Sequence, residues 1–132
     1  MTEPYTYAET TSAITITVEP FYLDEQSEPS EGHFVWAYHV RIENNGDKTV
    51  QLMTRYWRIT DSLGHVQEVR GEGVIGEQPH IAPGQTFSYT SGAILETEVG
   101  SMRGSYQMIG EDGTHFDAEI PMFPLAVPHA LH

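Results

Sequence analysis

The sequence predicts an all-β fold, a sandwich of two sheets built from seven to eight main strands. Apolar and polar residues alternate with a period of two along most of the chain, as in strands that bury one face. No sustained run of apolar residues recurs at the spacing of a helix. Turn-forming sequences separate the alternating segments at short intervals, which is typical of a β-sandwich.

The first half of the chain contains three such segments. Residues 14–18 alternate with apolar side chains at even positions and predict a strand that ends at Pro20. Residues 34–42 are apolar at every even position and predict a longer strand with a buried even face. In residues 50–60 the apolar side chains switch from even to odd positions, which indicates a β-bulge or a strand covered on both faces.

Turn sequences connect these strands and those that follow. ENNGDKT, residues 43–49, predicts a hairpin, and DSLG, residues 61–64, predicts a second one leading into a short polar strand. GEDG, residues 110–113, predicts another hairpin near the end of the chain. The proline-rich residues 121–132 allow at most an edge strand or an extended segment. The whole pattern indicates a sandwich of the immunoglobulin or fibronectin type III kind.

Length and composition limit the class of protein. A chain of 132 residues is a normal size for one domain, so we expect residues 1–132 to form a single unit. Because the chain has no cysteine, disulfides, thiol catalysis and thiolate metal sites are excluded. No apolar stretch approaches the ~20 residues needed to cross a bilayer, and MTEPYTYAETTSA has no signal-peptide features. We therefore expect a cytoplasmic protein without membrane insertion.

The charge balance is strongly acidic. Nineteen acidic side chains face six basic ones, and the formal net charge of -13 argues against binding to nucleic acid. All six basic residues lie between Arg41 and Arg103. Any anion-binding site must therefore use the central part of the chain.

The segment GEGVIGEQP contains Gly71, Gly73 and Gly76 in the spacing G-x-G-x-x-G. A dinucleotide site needs such glycines to open a helix, whose N-terminus binds the pyrophosphate. Prolines follow the motif instead, so this interpretation is rejected. Two alternatives stay open: the loop amides form a nest that, with Arg58 and Arg70, binds a nucleotide or pyrophosphate, or the glycines only permit unusual backbone conformations.

Histidines prompt a metal-binding alternative. The seven histidines are scattered, and HALH at His129–His132 is the only close pair. A chain end of this kind more often binds metal weakly and without specificity. We assign no metal ligands from the sequence.

The run YWRITDSLGHVQEVRGEGVIGEQPHIAPGQTFSYTSG, with GSMRGSYQM and the closing IPMFPLAVPHALH, resembles the ApaG family. The resemblance implies a fibronectin type III-like sandwich. It also implies links to cobalt resistance, magnesium efflux and a gene neighbourhood with a diadenosine tetraphosphatase. Related domains in F-box proteins and in a polymerase-delta-interacting protein are taken to bind partners. The family has no established catalytic residues, so none is transferred to this chain.

These observations favour a non-catalytic binding module without a cofactor, most simply one for a protein partner. Nucleotide binding at the loop of Gly71–Gly76 is the first alternative and divalent-metal binding is the second. Homodimerisation stays open. We expect Trp36 and Trp57 in the core. The polar strand face with His39 and Arg41 is, beside the glycine loop, a candidate contact surface.

Overall fold

The computed structural model describes residues 5–128 and shows two antiparallel sheets packed face to face. Nine strands form them, one or two more than the sequence predicts. Sheet I has four strands in the order β1-β2-β3-β7: β1 (Tyr7–Thr11), β2 (Ile14–Tyr22), β3 (Phe34–Asn44) and β7 (Thr86–Leu95). Sheet II has five: β4 (Val50–Asp61), β5 (Val66–Glu72), β6 (His80–Ile81), β8 (Val99–Gly110) and β9 (His115–Ala126).

In sheet II, β4 and β8 are central, with β9 at one edge and both β5 and β6 along the other side of β4. Two short 3-10 turns, Asp24–Gln26 and Pro29–Glu31, interrupt the connection from β2 to β3. Within the described part of the chain, no helix is long and apolar enough to cross a membrane.

The core lies between the sheets and follows the predicted alternation. The even residues of β3 are buried and its odd residues are more exposed, as expected. Trp36 and Trp57 are both buried, which confirms their assignment to the core. Burial of these large aromatic and branched side chains is the main stabilising term of such a sandwich.

The change of phase in β4 is a β-bulge, one of the two predicted alternatives. The register of β4 against β8 shifts between Leu52 and Thr54. Leu52 is fully buried before the bulge, and Trp57 and Ile59 are buried after it. One extra residue therefore exchanges the faces of the strand.

The prediction of a hairpin at ENNGDKT is wrong. The segment joins β3 in sheet I to β4 in sheet II, so its flanking strands do not pair. Asn44 directs this crossing from a buried position: its side-chain amide donates to the carbonyls of Lys48 and Ile81, each at 2.8 Å. Its Oδ1 accepts the Gly46 amide at 2.9 Å. The segment forms a turn as predicted, but this turn joins two sheets instead of two paired strands.

The prediction that Pro20 ends its strand is also wrong, since β2 continues to Tyr22. β1 pairs with β2 only as far as Val18. Pro20 lies beyond that point, so the amide proton it lacks would face an unpaired edge. The last strand, β9, is an edge strand as expected, although it runs unbroken through two prolines.

The two sides of the sandwich differ. On one side β1 lies against β9: the Glu119 amide donates to Thr11 Oγ1 at 3.3 Å, and the rings of Tyr7 and Phe123 stack with centroids 6.2 Å apart. On the other side sheet I ends at β7, and residues 74–76 of the segment from β5 to β6 line a cleft together with Tyr89 and Ser91 of β7. This second side is the open edge of the sandwich.

Candidate functional site

The open edge contains a cleft of about 390 Å³ between the two sheets. Its walls come from β3, β4, the end of β5, the glycine loop and β7, and they consist of Tyr38, Arg55, Trp57, Glu72, Val74, Ile75, Gly76, Tyr89 and Ser91. One guanidinium and several hydroxyl groups therefore lie at a concave site that is backed by largely buried aromatic rings, and a few converging polar groups of this kind can orient a ligand.

Arg55 is the cation of this cleft and was not identified from the sequence. It shares the inward phase of Trp57 because both residues follow the β-bulge. Its Nη1 donates to the carbonyls of Glu72 at 3.0 Å and Gly73 at 2.9 Å, which anchors the partly buried guanidinium to the loop. Within residues 5–128, no carboxylate oxygen lies within 4.0 Å of it. Counting residues from the bulge would have revealed this orientation.

The cleft tyrosines are neutral hydrogen-bonding groups. Burial raises the pKa of Tyr38 and of Tyr89 above the ordinary tyrosine value. The hydroxyl groups of Tyr89 and the fully buried Tyr106 are hydrogen-bonded to each other, and burial also raises the pKa of Tyr106. These phenols keep their protons at physiological pH, so they can donate hydrogen bonds but supply no base.

The glycine loop is a tight two-residue turn. The amides and carbonyls of Val74 and Glu77 exchange two hydrogen bonds of 2.9 Å. The two central residues, Ile75 and Gly76, have φ values of 43° and 79°, as a type I′ turn requires. Ile75 is 59% exposed at the rim of the cleft, although a β-branched residue strongly disfavours this conformation.

The amides needed for an anion nest are largely engaged. Gly73 donates to the Met53 carbonyl at 2.9 Å, and the Val74 and Glu77 amides bond each other's carbonyls. Gly73 also lies so close to the Glu77 carbonyl that a Cβ would stand 2.1 Å from its oxygen. The geometry thus favours the backbone role of these glycines, while phosphate binding stays a prediction.

Gly71 has a different neighbour. A Cβ at Gly71 would lie 2.8 Å from three atoms of the Arg55 guanidinium. Gly71 pairs with Arg55 across β4 and β5, so the missing side chain leaves the space in which the arginine lies. The first glycine of the motif therefore positions the cation of the cleft.

Arg58 and Arg70, the arginines predicted to join the glycine loop, lie elsewhere. They follow the opposite phase from Arg55 and are exposed on the outer face of sheet II. Arg70 stacks on the Tyr56 ring at 4.3 Å and lies 3.8 Å from Glu68. Arg58 is opposite Arg103 in the adjacent strand. The structure brings Gly71, Gly73 and Gly76 together with Arg55 instead.

No group of three metal-binding side chains occurs within residues 5–128. The HALH segment lies outside the described residues. His39, on the predicted polar face, has its Nδ1 2.9 Å from Thr90 Oγ1, and Arg41 pairs with Glu43 at 3.4 Å. Neither residue lines the cleft.

The last component of the open edge is strand β7 itself. Its sequence, TFSYTSGAIL, contains no charged residue and no proline over ten residues. It pairs with β3 along one side and ends the sheet on the other. Edge strands normally carry charges, prolines or bulges that prevent further pairing, and β7 lacks the first two.

Solved structures show the same architecture. The putative ApaA protein of Bordetella pertussis superposes with a TM-score of 0.85 at 51% identity, covering 87% of this chain and 94% of that one. The C-terminal domain of wzt superposes with a TM-score of 0.53 at 12% identity, over 95% of this chain and 78% of that one, and shows the fold alone.

Sequence relatives are closer still. Protein ApaG of Paramagnetospirillum magneticum is 57% identical over 123 residues, which cover 93% of this chain and 95% of the relative. Protein ApaG of Brucella canis is 58% identical over 122 residues, or 92% and 94% of the two chains. A family model described as the ApaG domain matches residues 24–110. The chain therefore belongs to the ApaG family, as the resemblance of its glycine-rich segment predicts.

Proposed function

We propose that this protein is a binding module that accepts an extended segment of a partner protein as an additional strand beside β7. The observation that carries the proposal is the ten-residue, uncharged and proline-free edge strand. Such an edge offers a row of amide and carbonyl groups to an incoming chain. Strand addition uses these groups for affinity and neighbouring pockets for specificity.

The register identifies the available backbone groups. The Asn44 amide donates to Gln85, toward β7, at 3.0 Å, whereas Val35 accepts from Leu23, on the β2 side, at 2.9 Å. Hydrogen-bonding direction alternates along an antiparallel strand, so the even residues of β3 bond toward β7. They pair with odd residues of β7. The even residues Ser88, Thr90 and Gly92 consequently direct their amides and carbonyls toward the open edge.

The cleft lies where an added strand would place its side chains. Tyr89 and Ser91 of β7 line the cleft from the inward face of sheet I. Alternate side chains of a neighbouring strand would point in the same direction. The edge therefore supplies backbone pairing, and the cleft between the sheets supplies side-chain selection at the same place.

Charge favours a different protein over a second copy. Two copies of a chain with a net charge of -13 repel each other, whereas a neutral or basic partner does not. A partner of this kind would also let the domain act in cobalt resistance or magnesium efflux without binding the metal itself. The cleft residues are assigned binding roles and no catalytic step.

The test is a selection of short random peptides displayed against the protein, followed by affinity measurements with Thr90→Pro. Proline removes one outward amide and leaves the ladder to β3 intact, so we expect at least about tenfold weaker peptide binding. Thr90→Val keeps the amide and is the matched control. Amide hydrogen exchange at Ser88, Thr90 and Gly92 should slow in the bound state.

Equal affinities for Thr90→Pro and Thr90→Val, with no change in exchange along β7, would refute strand addition. Sedimentation at several protein concentrations examines the homodimer alternative. A stable dimer whose β7 amides are already protected would replace the proposed partner by a second copy. Titration with pyrophosphate and adenosine triphosphate examines the nucleotide alternative through the Ile75 and Gly76 amides.

A further inference from the structure

We infer that the cleft is a carboxylate subsite, in which Arg55 binds the acidic side chain of one aspartate or glutamate in the partner segment. This inference rests on the proposed function for the source of the ligand, but the subsite itself depends on Arg55 and its surroundings. It assigns a ligand chemistry to a residue that sequence patterns alone did not identify.

The first argument is the state of Arg55. One guanidinium nitrogen is fixed by the carbonyls of Glu72 and Gly73, so the planar group is already oriented before a ligand arrives. No carboxylate of the described residues lies within 4.0 Å of it, although acids outnumber bases nineteen to six. Among the described residues, Arg41, Lys48 and Arg70 each have an acidic neighbour within that distance, whereas the exposed Arg58 and Arg103 have none but are not held by backbone carbonyls as Arg55 is. An oriented guanidinium of this kind matches the planar carboxylate.

The second argument is the charge that the cleft tolerates. Arg55 is the only cation among the residues lining it, and Glu72 contributes the backbone carbonyl that accepts a hydrogen bond from Arg55. A phosphate with two negative charges would be neutralised only in part by this single guanidinium. A carboxylate carries one charge and matches one guanidinium. The cleft therefore favours a carboxylate over a phosphorylated ligand.

The third argument is the wall of the cleft. Tyr38 and Ser91 line the cleft together with Arg55 and carry hydroxyl groups that can donate to a carboxylate. Burial raises the pKa of Tyr38 further above physiological pH. The exposed side chain of Ile75 adds apolar surface at the rim for the methylene groups of an acidic side chain. The volume of about 390 Å³ exceeds what one carboxylate needs, so the whole side chain can enter.

An internal side chain fits better than a chain terminus. β7 runs from Thr86 to Leu95, and the cleft residues Tyr89 and Ser91 lie near its middle. A segment paired along the strand passes the cleft and continues beyond it. The carboxylate that meets Arg55 thus belongs to a side chain of the segment.

The experiment compares propionate with propionamide, which mimic the side chains of glutamate and glutamine. The readout is the Nε–H signal of Arg55, together with the amides of Tyr89 and Ser91, in nuclear magnetic resonance titrations. We expect saturable shifts with propionate in the millimolar range and at least about threefold weaker binding of propionamide. Arg55→Gln should abolish the preference. Arg58→Gln removes the same charge from the outer face and should leave the preference unchanged.

Arg55→Lys provides a variant that keeps the positive charge of the cleft. It should bind propionate more weakly than the arginine does but still better than propionamide, because an ammonium group attracts a carboxylate without the two parallel N–H donors of a guanidinium. Both variants lose the arginine's contacts with the Glu72 and Gly73 carbonyls, so a preference that is kept in Arg55→Lys and lost in Arg55→Gln reports the ligand contact and not the loop structure.

Equal binding of propionate and propionamide, or a propionate preference that persists in Arg55→Gln, would overturn the inference. The selected peptides separate it from strand addition. Peptides that depend on the Thr90 amide but show no preference for an acid would refute the carboxylate subsite alone. Arg55-dependent propionate binding without any effect of Thr90→Pro on peptides would refute strand addition alone. Stronger shifts with phosphate than with propionate would overturn the carboxylate subsite and indicate that the cleft binds a phosphorylated ligand.

Discussion

Gly73→Ala should severely destabilise the protein, because the glycine loop depends on its backbone. Gly73 has a φ of 61°, a conformation that costs an alanine about 1–2 kcal/mol. The added Cβ would lie 2.1 Å from the Glu77 carbonyl oxygen, so the turn must open. Loss of the two hydrogen bonds between Val74 and Glu77 adds about 1 kcal/mol each. Together these effects lower the free energy of unfolding by about 3–4 kcal/mol.

Urea denaturation followed by tryptophan fluorescence measures this loss, since Trp36 and Trp57 are buried. Gly76→Ala is the matched control. Gly76 has a φ of 79°, but nothing lies within 4 Å of the position of its Cβ. It should therefore lose only the conformational contribution, about 1–2 kcal/mol. If both variants lose the same free energy, close contact with Glu77 is not the reason for a glycine at position 73.

Gly71→Ala should separate binding from folding. Its Cβ would meet the movable end of the Arg55 side chain rather than backbone. We expect a loss of unfolding free energy of about 1 kcal/mol or less. The Nε–H signal of Arg55 should shift, and propionate binding should weaken. Unchanged propionate binding would show that Gly71 does not position the arginine.

Two further predictions concern groups outside the loop. Tyr89→Phe or Tyr106→Phe leaves a buried hydroxyl without its partner and should lower the free energy of unfolding by about 1–3 kcal/mol. The double variant should lose less than the sum of the two single variants, and additive values from urea denaturation would contradict this coupling. The Thr114 amide and Lys48 hold the pKa of Asp112 at about 2. Its stabilising contribution is therefore fully present above the ordinary aspartate pKa and is lost as the pH falls from there through the lowered value of about 2. Asp112→Asn should lower the melting temperature at neutral pH, and a gap that persists unchanged near pH 2 would refute this assignment.

Alternation of side chains predicts the strands well where one face meets the core. In β3 the even side chains from Phe34 to Ile42 are buried. A slip of one residue in the register would expose all of them, so the alternation specifies which face of the strand meets the core. The same reasoning does not say which sheet a strand joins. Turn sequences at residues 43–49 fit both a hairpin and a crossing between sheets, and the buried Asn44 decides between them through contacts with Ile81, which is distant in sequence.

The candidate site was predicted only in part, for a related reason. The glycine pattern points to residues 71–76, which line the cleft or support it, while their role in binding stays a prediction. The sequence predicts Arg58 and Arg70 as site residues because they flank a predicted hairpin, and they do lie on adjacent paired strands. Proximity along a hairpin does not determine the face on which a side chain lies, and theirs is the outer face. Arg55 can be identified only by following the alternation of inward and outward side chains past the bulge.

The β-bulge of β4 makes the spacing along this strand as important as the identity of its residues. Arg55 and Arg58 are three positions apart, so an odd offset assigns one to the interior and the other to solvent. Deleting Met53, the residue at which the register shifts, would remove no atom that lines the cleft. The downstream strand would then either expose Trp57 and Arg55 together or keep them inside at the expense of its pairing with β8. The location of the partly buried Arg55 thus depends on the number of residues in the strand, which a scan by substitution does not change.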